Sequence, residues 1–214
     1  MRAIAALIVG VLALSGVAHA QSAAPAPSKG YVEAVAQSAF GNLTSQSFGA
    51  ELGVTVAPHL QLFVEGGQVR DTSPAVLGAS AQLMAGSLSR TQSAVGFSVK
   101  RPVTFGAAGV RFAISQGRVE PYLLFGGGVA RVRRDVRFTV GGNDVTSDLA
   151  QLGVVLGSDL SGSETKPLIT GGGGVAFPLW SRIVVDLQLR YGRILTEDQG
   201  TNVTRAGIGF GVRF

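Results

Sequence analysis

The chain closes on Thr204-Arg205-Ala206-Gly207-Ile208-Gly209-Phe210-Gly211-Val212-Arg213-Phe214, and two kinds of residue take strict turns along it. Strand side chains repeat every two residues. Thr204, Ala206, Ile208, Phe210, Val212 and Phe214 therefore share one face, and Arg205, Gly207, Gly209, Gly211 and Arg213 share the other. One face is apolar and the other is cationic or nearly bare. In a water-soluble β-protein the apolar face would point to a core; in a membrane barrel it would point to lipid, with the polar face toward the interior.

The opposite end of the chain carries an export pattern. Met1-Arg2 gives a positive start, Ala3 to Val17 is an apolar run, and Ala18-His19-Ala20 supplies a small-x-small cleavage site before Gln21. The run is too short for a spanning helix, which needs about 20 apolar residues. Residues 1–20 are thus read as a signal peptide, 21–29 as a Pro-containing periplasmic leader and 30–214 as the folded domain. Without cysteine there is no site for lipoprotein acylation and no disulfide framework. Cleavage would remove Arg2 and lower the formal net charge from +5 to +4, leaving His59 as the sole histidine. The arginines are scattered through alternating segments, with no basic cluster interleaved with aromatics on a helix, so nucleic-acid binding is not expected.

The same alternation recurs upstream. Val32, Ala34 and Ala36 oppose Tyr31, Glu33, Val35 and Gln37; Phe48, Ala50, Leu52, Val54 and Val56 oppose Gly49, Glu51, Gly53 and Thr55. Leu62, Val64 and Gly66 oppose Gln61, Phe63, Glu65 and Gly67, and Ala108, Val110 and Phe112 oppose Ala107, Gly109 and Arg111. Residues 120–132 read as strand, but Tyr122-Leu123-Leu124-Phe125 is apolar on both faces and Gly126-Gly127-Gly128 carries no facial information, which leaves the inside register open. Leu168 to Phe177 is a further strand, and Ile183, Val185, Leu187, Leu189 and Tyr191 alternate with Val184, Asp186, Gln188 and Arg190. With the terminal strand, eight are expected. Residues 71–94 read as a long loop that carries a helical turn, with Ser73-Pro74 as a helix start before Ala75 to Leu88. Residues 133–166 read as irregular, with turn signals at Gly141-Gly142-Asn143-Asp144 and Gly157-Ser158-Asp159 and with Arg137 to Val140 extending the preceding strand.

Short connections around Pro58, Gln116 and Leu179 alternate with four others, two of them long. That asymmetry fits an up-and-down barrel with short periplasmic turns, longer outer loops and both termini periplasmic. Trp180 and Tyr191 fit interfacial positions or packed core aromatics equally well. The competing fold is a soluble lipocalin-like cup, with apolar residues inside and charges outside. The export pattern, the aromatic last residue and the lack of a freely charged strand face favour the membrane. Glu33, Glu51, Glu65, Arg111, Asp186, Arg190, Arg205 and Arg213 then line a narrow interior and must be paired.

Taken together, residues 31–214 resemble the eight-stranded OmpA-like and opacity-type outer-membrane barrels, most specifically over Ala206 to Phe214. The resemblance implies a transmembrane all-β barrel in a Gram-negative outer membrane, in contact with its lipid and lipopolysaccharide. It also implies that Ile208, Phe210, Val212 and Phe214 serve as a signal to the barrel assembly machinery, with periplasmic chaperones upstream. Some members carry a peptidoglycan-binding domain after the barrel. Here the sequence stops at its last strand, and cell-wall tethering is not expected.

An eight-stranded interior is just wide enough to be filled by side chains. The expected role is therefore structural, or surface-binding and adhesion-like through residues 71–94 and 133–166, because loops on a rigid scaffold usually carry function. A slender ion or small-solute path along the charged interior is the alternative. No enzyme is expected: hydrolase or acyltransferase chemistry needs a base beside a hydroxyl nucleophile, and His59 sits next to Pro58 in a turn. No cofactor or metal site is expected either. The two glycine runs lack a following Gly-Lys-Ser/Thr, and Asp144, Asp148 and Asp159 lack calcium-loop spacing. Mass spectrometry of protein recovered from the envelope should give a chain beginning at Gln21; retention of residues 1–20 would contradict the processing site.

Overall fold

A computed structural model describes residues 29–115, 117–152, 160–180, 182–196 and 200–214. The signal peptide, nearly all of the leader, Gln116 and the Gly157-Ser158-Asp159 turn lie outside the described residues. Strands β1 (Gly30–Phe40), β2 (Thr44–Ala57) and β3 (Leu60–Val69) are followed by helix α1 (Ala75–Leu88) and β4 (Val95–Lys100). Then come β5 (Val103–Ala113), β6 (Glu120–Val140), the two-residue β7 (Asn143–Asp144), β8 (Ser161–Pro178), β9 (Ile183–Ile194) and β10 (Thr201–Arg213).

Eight strands pair antiparallel in the order β1-β2-β3-β5-β6-β8-β9-β10, and β10 returns to β1 through Tyr31↔Arg213 to Phe40↔Thr204. Closure gives every ring strand two neighbours and abolishes sheet edges, as a structure spanning hydrocarbon requires. The last main-chain bonds of the seam run between Gly30 and Phe214, at 2.9 and 3.0 Å. The start of β1 and the end of β10 thus meet at the end that carries the three short turns.

The apolar sides look outward. Leu52, Val64, Phe112, Leu187, Ile208 and Phe210 are all exposed, whereas Glu33, Glu51, Asp186 and Arg190 are at most 2% exposed. This arrangement is the inverse of a soluble cup. The register left open in β6 resolves with Tyr122 and Leu124 inside and Leu123 and Phe125 outside. Trp180 and Tyr191 both stand on the outer surface, at opposite ends of the ring.

Glycine opposite bulk makes the narrow ring possible. A Cβ on Gly53 would lie 2.1 Å from the Tyr31 ring, and one on Gly174 would lie 2.5 Å from the Tyr122 hydroxyl. The glycine runs in β6 and β8 are strand interiors, Gly126 to Gly128 pairing with Thr170, Ile169 and Leu168, and Gly171 to Gly174 pairing with Phe125, Leu124, Leu123 and Tyr122, which accounts for them without a ligand.

Two expectations need correction. Residues 133–166 are not irregular throughout: β6 runs on to Val140 and β8 begins at Ser161, so both strands stand well above the ring and pair there from Arg131↔Thr165 to Asp135↔Ser161. Beyond the expected eight strands, β4 pairs with residues 135–140 of β6, and β7 folds back on β6. The β6–β7 turn is Gly141-Gly142, both at positive φ (60° and 86°), the geometry of a two-residue hairpin that glycine adopts without strain.

Gly174→Ala is expected to destabilise the barrel by about 1–3 kcal/mol through overpacking against Tyr122. Gly127→Ala, whose nearest contact would be an ordinary 3.6 Å, should be close to neutral. The unfolding midpoint of the heat-modifiable band distinguishes them.

Candidate functional site

Inward positions of five strands converge on one ionic cluster. Glu51 on β2 accepts hydrogen bonds from the Tyr31 hydroxyl at 2.6 Å, Arg111 Nη1 at 3.4 Å and Arg190 Nη2 at 2.5 Å. Asp186 Oδ2 on β9 accepts from the Tyr122 hydroxyl at 2.8 Å, Gln188 Nε2 at 3.2 Å and Arg111 Nη2 at 3.3 Å. Glu33 accepts from Gln188 at 3.1 Å and lies 3.9 Å from Arg111. One guanidinium thus joins three carboxylates from three strands. It is also sandwiched by aromatics, with its carbon 3.5 Å from the Tyr122 ring centroid and 4.7 Å from that of Tyr31. Such stacking suits the planar, weakly hydrated arginine head better than it would lysine.

A second unit sits beside the first. Arg205 on β10 meets Glu65 on β3 at 3.1 Å and stacks over Phe105 at 4.2 Å. The cavity between these groups, lined by Gln37, Glu51, Glu65, Phe105 and Arg205, measures about 10 Å³, room for one water at most. Arg213 does not join the cluster. It pairs with Glu120 at 2.6 Å near the end that carries the termini, and Glu120 is a partner that sequence reasoning missed. The other charged residues expected inside are all there: Glu33, Glu51, Glu65, Arg111, Asp186, Arg190 and Arg205. Gln188 and the hydroxyls of Tyr31 and Tyr122 add to the bonding, while Asp186 Oδ1 and Arg190 Nε and Nη1 have no hydrogen-bond partner among the described residues; Tyr31 and Gln188 fell on the inward phase of readable strands, whereas Tyr122 fell in the stretch of open register.

Above the charges lies a layer the sequence did not reveal. Ala39, Val69, Val103, Phe105, Ala107, Ala130, Val132, Leu168, Ile194 and Val203, contributed by seven of the ring strands, form a buried apolar cluster toward the end opposite the termini. It separates the ionic cluster from that mouth.

The mouth itself is capped. Leu77, Ala81, Ala85 and Leu88 of α1 pack on Val136 and Phe138 of β6 with Leu149 and Leu160, and Met84, Val95 and Val99 close the edges. Val136 and Phe138 continue the inward phase of Ala130 and Val132, so α1 lies on the inner side of the protruding sheet. Asp71 fastens the base of the cap, accepting from Ser73 N and Arg101 N, each at 2.9 Å, while Thr72 bonds the Arg101 carbonyl. Asp144 caps a turn: the Thr146 hydroxyl and N–H bond its carboxylate and hold it below the usual carboxylate range. His59, at positive φ in the β2–β3 turn, bonds the Ala113 carbonyl at 2.8 Å. Among the described residues no group of His, Asp and Glu is arranged to hold a metal ion.

A closed eight-stranded ring with lipid-facing apolar sides and a paired ionic interior defines a transmembrane β-barrel. Residues 9–214 match the family model described as the outer membrane protein beta-barrel domain. The chain belongs to that family, and its place is the bacterial outer membrane. No curated protein matches its sequence. Among solved structures, neisserial surface protein A, from Neisseria, is similar at 16% identity over 87% of this chain and 98% of that one, with a TM-score of 0.53. A major outer membrane protein from Thermus thermophilus shares 12% identity over 86% and 99% of the two chains, also at 0.53. The attachment invasion locus protein Ail of Yersinia pestis gives 17%, 86% and 97%, with a TM-score of 0.47. At these identities the first two likenesses show the fold alone.

Glu51→Ala strips Arg190 and Arg111 of a buried partner and is expected to cost about 3–5 kcal/mol. Glu164→Ala breaks the more exposed Arg134 pair of the protruding strands and should cost no more than about 1 kcal/mol. Denaturant midpoints of the folded protein in detergent check the contrast.

Proposed function

We propose that the protein is a closed outer-membrane scaffold that presents the α1–β4–β6 cap as a surface-binding platform, and that it is neither a pore nor an enzyme. The carrying observation is the buried, largely apolar layer from Ala39 to Val203, interrupted only by small hydroxyl residues such as Ser47 and Thr201, which stands between the ionic cluster and the capped mouth. A conducting path would require that layer to part. The cap supports the platform reading because it has a core of its own and presents Val76, Leu83 and Phe97 to solvent. His59, engaged with a main-chain carbonyl in a turn, is a poor candidate for a general base.

On this reading the short-turn end and both termini are periplasmic and the cap faces outward, following the loop asymmetry of such barrels. Residues 1–20 direct export in a Gram-negative cell. Ile208, Phe210, Val212 and Phe214 are read by the assembly machinery after chaperoned transit, and the outer band contacts lipid and lipopolysaccharide. The outward placement of Ile208, Phe210, Val212 and Phe214 supports their accessibility to a partner.

The test replaces residues 73–99 with a Gly-Ser linker. The variant should keep its heat-modifiable band, neither protein should give conductance steps in planar bilayers, and cells bearing the full chain should adhere better to protein-coated surfaces. Equal adhesion would contradict the platform reading, and discrete conductance of the full chain would favour the narrow channel.

A further inference from the structure

The outward face of β6 changes chemistry abruptly at one level. Leu123, Phe125 and Val129 are exposed apolar residues, and the next positions in the same phase are Arg131, Arg133, Asp135 and Arg137. From Val119 to Val129 the chain rises roughly 33 Å along the strand and, at the usual tilt of about 40°, about 25 Å along the barrel axis. That is the height of the lipid-facing band, so Arg131 and Arg133 emerge where hydrocarbon gives way to headgroups. Register adds Lys100, which sits opposite Asp135 on the same face. Hydroxyls flank the cations: Thr104 and Thr165 lie beside Arg131, and Ser163 lies beside Arg133.

The charge is unbalanced. Four cations share this patch with Asp135, which Arg137 engages at 3.2 Å. Arg131 donates to the Ser163 hydroxyl at 3.1 Å, and among the described residues neither Arg131 nor Arg133 meets a carboxylate. At the other end, the exposed Lys29, Arg118 and Arg182 are scattered over separate segments.

We propose that Arg131 and Arg133, with Lys100 and Arg137 beside them, bind phosphate groups of lipids in the leaflet at the capped end. Their aliphatic stems lie along the apolar band while the guanidinium forks reach headgroup level. Guanidinium forks match phosphate oxygens two at a time, and the flanking hydroxyls add donors. The occupant is a lipid because the patch continues the lipid-facing surface without a break. The patch shares β4 and β6 with the cap and rests on the reading that the capped end faces the outer leaflet, but it lies on their lipid-facing side, and its test leaves the platform reading untouched.

The mature full chain, folded in a neutral maltoside micelle, is titrated with bis-phosphorylated lipid A, with the same lipid after removal of its phosphates, and with soluble inositol hexakisphosphate. Retention is read by native mass spectrometry. The phosphorylated lipid should be retained best, and Arg131→Gln with Arg133→Gln should weaken its binding roughly thirtyfold. The Lys-for-Arg double variant should lose less, and Arg118→Gln should change little. Heat modifiability confirms folding of each variant, and Arg133→Gln alone serves if the double variant does not fold. Unchanged retention in the Gln variants, an equal loss in Arg118→Gln, or binding of the soluble hexaphosphate as tight as that of the lipid would overturn the assignment.

Discussion

Because neighbouring residues of a strand face opposite ways, committing one side to hydrocarbon forces the other side into a space barely wider than its own side chains. Every charged residue on that side must then find a partner across the interior. Arg111 answers the demand by touching Glu33, Glu51 and Asp186 from three strands. The glycines follow from the same demand, since Tyr31 and Tyr122 fit only where Gly53 and Gly174 leave room. Replacing such a cluster with hydrophobic residues could leave stability unchanged or higher. What the cluster supplies is a set of shared partners that disfavours strand slippage, because a one-residue slip would turn the charges toward lipid.

The interior is layered along the barrel axis. Paired charges occupy one level, a largely apolar layer fills the next, and above the ring the protruding β6 and β8 carry a cap with its own core. The expected long loops are thereby largely ordered structure. Strands that outlast the ring need cover for their inward side, and α1, whose sequence contains no charged residue, supplies it. The same extension carries cations on its outer side just above the apolar band, so one strand serves membrane, cap and interface in turn.

The ring was legible wherever polar and apolar residues alternated, as in β2, β9 and β10; between β3 and β4 a helical turn was legible, but not a helix filling Ala75 to Leu88. β6 was not, because tyrosine, leucine and phenylalanine in succession suit both lipid and interior, and three glycines say nothing about face. That ambiguity hid Tyr122 from the ionic cluster and Leu124, Ala130 and Val132 from the buried interior. β4 did alternate, Val95, Phe97 and Val99 against Gly96, Ser98 and Lys100, but it is six residues long and its partner lies far along the chain. The inward phase predicted that Arg213 would join the interior cluster; its partner Glu120 instead holds it near the end with the termini, because a strand's last inward residue lies at the rim.

The outward direction of the apolar sides is tested most directly by nitroxide scanning. The chain has no cysteine, so single cysteines introduced from Gly207 to Val212 can be spin-labelled without background and the protein reconstituted in bilayers. Labels at 208, 210 and 212 should collide freely with oxygen and poorly with a water-soluble nickel chelate, while labels at 207, 209 and 211 should be immobilised and shielded from both. The opposite phase, or no period of two, would contradict a barrel whose apolar sides meet lipid.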